Sequence, residues 1–193
     1  MKKLFSLFSI VACSFLLTQC VCVPCEDQVA DPFLSGWLGS NSGTDDGYGG
    51  LYASDNLPSC PEGYHLPTKA DFEQLLTYSS VWTEAGPQGA SGFWFCPTDE
   101  ALASPSYENG CVFFGAAGMG EYVSGGSEVT GGRTNLGAYW SATMSDTEDG
   151  KVFYLSFTFE SKNIESIYPI VTGTDGSSTV KFGLSVRCLK NAE

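Results

Sequence analysis

Cys60-Pro61-Glu62-Gly63-Tyr64-His65-Leu66-Pro67-Thr68-Lys69-Ala70-Asp71-Phe72-Glu73-Gln74-Leu75-Leu76 is the stretch on which the fold turns. Thr68 offers an N-cap hydroxyl directly after Pro67, and Asp71 places a carboxylate in the first turn, near the positive end of the helix dipole. Phe72, Leu75 and Leu76 recur at i, i+3 and i+4, which makes them a buried stripe, while Lys69, Glu73 and Gln74 face water. The spacing predicts a helix that starts at Thr68.

Beyond Ser80 the pattern becomes strand-like. Phe93-Trp94-Phe95 and Val112-Phe113-Phe114 flank a polar segment and read as a long-tipped hairpin, with Cys96 and Cys111 at its two bases. Tyr139-Trp140, Val152 to Phe159, Ile164 to Val171 and Phe182 to Leu189 supply further strands. Turn material separates them at Ser145 to Gly150 and at Thr174 to Ser178. With 23 glycines and 13% aromatic residues, the composition points the same way, to short strands and tight turns. The fold class is α+β, one domain, with strands outnumbering helices.

Toward the N-terminus, Lys2 and Lys3 precede an apolar run from Leu4 to Leu17 that is too short to span a bilayer, which is the form of an export signal. Leu17-Thr18-Gln19-Cys20 has the outline of a lipobox and makes Cys20 the expected lipidation site; Ile10-Val11-Ala12-Cys13 and ordinary secretory cleavage are the alternatives. Residues 1–19 are therefore read as signal, 20–43 as a tether and 44–193 as the domain. Within the tether, Phe33, Trp37 and Leu38 are large and apolar enough to pack on the domain as a first strand. Cys22-Val23-Pro24-Cys25 has the spacing of a redox or metal pair, but no second such pair follows, so a local disulfide is the simpler reading. The destination is outside the cytoplasm, on the outer membrane or cell surface through a lipid anchor, or else secreted. A net charge of −13 disfavours nucleic acid, anionic lipid and polyanionic glycans.

Several motifs in order resemble the Fibrobacter succinogenes major paralogous domain, a family of exported bacterial domains related to the C-type-lectin-like fold. They are Tyr48-Gly49-Gly50-Leu51-Tyr52, the Cys60 to Thr68 stretch, Val112 to Gly118 ending in Ala-Ala-Gly, Tyr139-Trp140-Ser141-Ala142-Thr143 and Gly183-Leu184-Ser185-Val186-Arg187-Cys188. The resemblance implies a disulfide-tied, C-type-lectin-like domain whose terminal strands pair, with a loop-rich face opposite. Tyr64 stands where many members carry Trp, and the Cys96 and Cys111 pair is an addition. The motifs of calcium-dependent sugar-binding lectins do not occur. Cys60 and Cys188 lie at the two ends of the matched region, so in an oxidising compartment they are expected to be joined, as are Cys96 and Cys111.

No residue pattern builds a catalytic centre, and neither a cofactor nor a metal is expected. His65 is the single histidine, set between Tyr64 and Leu66 where packing explains it. Arg187-Cys188 echoes the formylglycine-generating enzymes, whose oxidoreductase chemistry is the enzymatic alternative, but no second cysteine lies near Cys188. Asp146, Glu148 and Asp149 before Gly150 lack the register of an EF-hand and read as a β-turn, as does Asp175 before Gly176. The expected function is a non-enzymatic surface lipoprotein that binds a glycan or a surface protein such as a fimbrial component; a structural accessory or fimbrial subunit is the alternative. Ligand contacts are expected from two loops, Asp99 to Asn109 and Gly120 to Asn135. In the second, Tyr122 offers an aromatic platform, Glu121 and Glu128 offer acceptors, and Arg133 is the one cation between Lys69 and Lys151. Tyr107 and Trp82 are further aromatic candidates.

Overall fold

The computed structural model describes residues 31–43, 48–123, 127–172 and 179–192; the signal segment, Cys13, Cys20, Cys22, Cys25 and Asp175 lie outside them. In chain order the elements are β1 (Leu51–Ala53), β2 (Tyr64–His65), α1 (Lys69–Leu75), β3 (Ser79–Thr83), β4 (Gly92–Cys96), α2 (Asp99–Ala103) and β5 (Val112–Gly115). There follow β6 (Met119–Val123), β7 (Ser127–Gly131), β8 (Leu136–Met144), β9 (Val152–Thr158), β10 (Ser161–Ile167), β11 (Ile170–Thr172), β12 (Thr179–Ser185) and β13 (Leu189–Lys190). The class is α+β, mostly strand.

α1 begins where capping chemistry dictates. Asp71 N–H donates to Thr68 Oγ1 while the Asp71 carboxylate accepts from the Thr68 amide, a reciprocal capping box. Phe72 and Leu75 are fully buried and Leu76 packs at the margin of the same cluster. Burial works against charge on Asp71, but the bonds from the Thr68 amide and hydroxyl, and from His65, hold its pKa below the ordinary value. The stability this confers is present above the ordinary carboxylate pKa and is lost as pH falls through the lowered one. Thr68→Ala should cost about 1 kcal/mol at neutral pH, and the deficit should shrink in acid as Asp71 protonates. Urea melts at the two pH values check both; a deficit that stays constant would separate the cap from the Asp71 titration.

A large sheet runs β10-β9-β8-β12-β6-β7, with β1 and β11 also paired to β12. β12 meets β8 in parallel, and its other neighbours are antiparallel. A second sheet, β3-β4-β5, packs across α1 and the β8–β9 face, and β13 pairs with β2. Strand alternation sorts the side chains. In β8, Tyr139 joins Phe72, Phe95, Phe114 and Phe157 on one side, whereas Ala138 and Trp140 join Leu184, Val186 and Cys188 on the other. In β4, Phe93 and Phe95 enter the first cluster while Trp94 and Cys96 face Ala101, Cys111 and Phe113 in a third. β4 and β5 are covered on both faces, which is why their runs are unbrokenly apolar.

Two of the expected disulfides are present, Cys60–Cys188 and Cys96–Cys111, and the Cys22–Cys25 pair lies outside the described residues. Other expectations change. Gly120 to Asn135, read as a loop, is largely the β6–β7 hairpin, and Gly120 is buried against β12 beside Gly183. The single strand expected over Ile164 to Val171 is interrupted at Tyr168-Pro169, because proline carries no amide donor for the ladder. Phe182 to Leu189 divides between β12 and β13. The hairpin tip holds α2, capped by the Thr98 hydroxyl, which accepts from Ala101 N–H.

Residues 31–43, assigned to the tether, are part of the folded unit. Phe33, Trp37 and Leu38 do pack, but as a 3-10 turn at Leu34–Gly36 followed by a strap. Leu34 and Trp37 are buried, Trp37 bridges to Leu189, Leu38 N–H donates to Cys188 O and Ser42 N–H to Val186 O. Proline and glycine gave this segment the composition of a linker, while its apolar side chains have a place in the core.

Candidate functional site

The second expected binding loop does not form one face. Tyr122 sits in β6, and its hydroxyl donates to Leu51 O at 2.8 Å. Its ring lies over Gly183 of the neighbouring strand, where a Cβ would stand 2.5 Å from the ring edge. Tyr122 thus ties β6 to β1 and β12, and removing its ring would weaken the fold as well as any ligand contact. Glu121 is exposed and points to the opposite face by strand alternation. Glu128 is paired with Tyr122 in the backbone register of β7. Arg133 lies past the other end of the hairpin, its guanidinium 4.7 Å above the Tyr48 ring. There Thr134 takes a φ of 74°, which is uncommon for a β-branched residue, and its carbonyl accepts from the Ser91 hydroxyl.

The remaining sequence candidates are placed as follows. Trp82 is half-buried, edge-on to Phe93 and Phe157, and donates to Glu84. His65 bonds Asp71 and Asn191 beside α1. In the β8–β9 turn, the Glu148 carboxylate is taken by Lys151 at 2.6 Å. Among the described residues no group of three or more His, Cys, Asp or Glu side chains is arranged to hold a metal ion. All four described cysteines are in disulfides, Cys188 among them.

The first expected loop, Asp99 to Asn109, borders a cavity. Between the strap and this loop lies a cleft of about 400 Å³, lined by Leu34, Trp37, Pro97, Tyr107, Glu108 and Val112 among others. Asp31 closes the near end, its carboxylate accepting from the Phe33 and Leu34 amides and from the Tyr78 hydroxyl. Burial and the Asp31 charge together push the Tyr78 phenol above its ordinary pKa. Tyr107 overhangs the cleft with 45% of its surface exposed, its ring edge-on to Trp94 at 5.0 Å. Its hydroxyl donates across to Gly39 O at 2.9 Å. The buried Trp37 Nε1–H has no hydrogen-bond partner among the described residues.

On the far side of Tyr107 a second cavity of about 130 Å³ reaches Asn41, Gln88, Phe113 and Arg187. Arg187 is the residue that the sequence did not single out as a site. It is fully buried: Nε donates to Leu38 O at 2.7 Å, one terminal nitrogen donates to Phe113 O, and the plane lies 4.6 Å from the Phe114 ring. Burial lowers its pKa, opposed by the nearby Tyr139 and Tyr107 hydroxyls. The available signal was a lone arginine inside the apolar run Leu184 to Leu189, since a charge there must be built in for a reason.

Searches of curated proteins and of solved structures return no match. The profile described as the Fibrobacter succinogenes major domain matches residues 30–190, and its start falls beside the strap that the structure draws into the core. The chain therefore belongs to the Fibrobacter succinogenes major domain family.

Proposed function

We propose that this protein is an exported, non-enzymatic binding module, lipid-anchored through Cys20 to the bacterial surface. Its domain, of C-type-lectin-like descent, receives a glycan or another surface protein in the cleft between strap and hairpin loop. The observation that carries the reading is Tyr107. It is a large aromatic side chain, nearly half exposed, held by one hydroxyl bond and one ring edge at the junction of two cavities. Exposed tyrosines of this kind are adapted to stacking on sugar faces or partner side chains, because the rigid ring offers large area at small entropy cost. The bonding of Cys188 to Cys60 weighs against chemistry of the formylglycine-generating kind, which needs a reactive thiol.

Tyr107→Ala should reduce binding at least tenfold, about 1.4 kcal/mol, with little change in melting temperature. The assay is a glycan array with the purified protein, run alongside co-purification with surface fibres. A variant that binds as tightly as the parent in both would sink the cleft as the binding face. Mass spectrometry of the mature N-terminus decides the anchor, and an unacylated terminus beyond Cys20 would remove it.

A further inference from the structure

The cleft beneath Tyr107 has a charge character that its shape alone does not explain. Its walls are apolar, from Leu34, Trp37, Pro97 and Val112, and two acids, Asp31 and Glu108, are set among them. No lysine, arginine or histidine is among its described lining residues. The described lysines paired with a carboxylate use Glu73, Glu148 and Asp55, so neither cleft acid has a cationic partner among the described residues. Asp31 Oδ1 accepts from the Phe33 and Leu34 amides and from the Tyr78 hydroxyl, whereas Oδ2 accepts only from Tyr78 and keeps room for one more donor. Glu108 is exposed, and its carboxylate has no hydrogen bond or ion pair among the described residues. Uncompensated carboxylates beside a low-dielectric space focus a negative potential there, in a protein already at −13.

We infer that the cleft takes a lysine side chain of a partner protein, its aliphatic stem on the apolar walls and its ammonium drawn to Asp31, Glu108 and the exposed Tyr107 ring. The inference rests on the cleft reading and deepens it by naming the partner's chemistry. Lysine combines a long apolar stem with a cationic head, which is what apolar walls and unpaired acids together select. A tyrosine ring adds to the attraction, because its face is electron-rich. A cleft of about 400 Å³ has room for the side chain and the peptide groups beside it. A neutral sugar would leave both carboxylates uncompensated, and an acidic sugar would add to the negative charge. Arginine is the poorer fit at Asp31, since a guanidinium fork needs both carboxylate oxygens and Oδ1 is already filled. The net charge steers a basic partner toward the domain before any contact forms.

The probe is Nα-acetyl-lysine N-methylamide, a lysine residue with its neighbouring peptide groups and no other charge. Titrated into the purified protein, it should shift the Trp37 indole N–H and Tyr107 ring resonances saturably. Its affinity should fall about threefold or more as salt is raised from about 0.01 M to about 0.15 M. The norleucine analogue, which keeps the stem and lacks the ammonium, should bind about fivefold more weakly or worse. Glu108→Gln should weaken the probe about threefold with the melting temperature unchanged, since the side chain is exposed and unbonded. Absence of a saturable response overturns the lysine assignment, as does an equal response to the norleucine analogue or undiminished affinity in Glu108→Gln. Tighter binding of the arginine analogue would overturn it in favour of a guanidinium, and tighter binding of glucosamine in favour of an amino sugar. If the probe fails while Tyr107→Ala still weakens a glycan or fibre ligand, the lysine assignment falls alone. If Tyr107→Ala alters neither that ligand nor the probe, the cleft falls with it.

Discussion

A protein in which Cys60 and Cys188 are both replaced by alanine should lose about 4 to 5 kcal/mol of stability, since the bridge spans 128 residues and removes that much loop-closure freedom from the unfolded chain. Cys188 is 1% exposed and follows Arg187, so the bridge also fixes the strand end that carries the guanidinium clamp. The double variant avoids leaving one thiol to pair wrongly. Equilibrium urea unfolding measures the loss, and a deficit under about 1 kcal/mol would show that the strap and β13 pairing already hold the ends without the bridge. Replacing Cys96 and Cys111 should cost less, about 3 kcal/mol, because that loop closes over only 15 residues.

Trp140→Ala should cost about 3 to 5 kcal/mol. The indole is 1% exposed, and it fills the cluster made with Leu184, Val186 and Cys188 on one face of the large sheet. Its Nε1–H donates to Tyr52 O at 2.6 Å, tying β8 to β1 through a side chain. Trp140→Phe keeps much of the volume but leaves the Tyr52 carbonyl unmatched, for an expected loss of about 1 to 3 kcal/mol. Comparing the two variants in denaturant separates packing from the hydrogen bond. Equal losses would assign the whole effect to the orphaned carbonyl.

Where local chemistry determined the outcome, the sequence was readable. Thr68 and Asp71 cap a helix through their own side chains, and the neighbouring residues had only to supply the stripe of Phe72 and Leu75. The aromatic triplets of β4 and β5 are apolar throughout because both their faces are covered. Where a residue's meaning depended on a distant neighbour, it was not. Gly120 and Gly183 look like loop glycines in one dimension; in the sheet they are where β6 and β12 lie side by side with Tyr122 laid across them. Thr98-Asp99-Glu100-Ala101 carries the same capping logic as α1, yet its turn is too short to show a stripe. Asp31 to Asn41 reads as linker because what holds it belongs to the other end of the chain. The candidate site followed the same rule: Tyr107 was visible as a loop aromatic, whereas the strap and Arg187 that complete its cavities were separated from it by dozens of residues.

The strap also bears on the order in which the protein can acquire its structure. Leu38 and Ser42, among the earliest described residues, are bonded to Cys188 and Val186, and Trp37 is bridged to Leu189. A ribosome delivers these partners long after the strap itself, so no growing chain can complete the domain before Val186 to Leu189 emerge. Contacts of such long sequence separation predict slow folding for the chain length. A nonsense change removing only Val186 onward would strip the cover from Trp37 and Leu34 and delete the Arg187 clamp together. Val186 to Leu189 are therefore expected to be among the least dispensable residues of the domain.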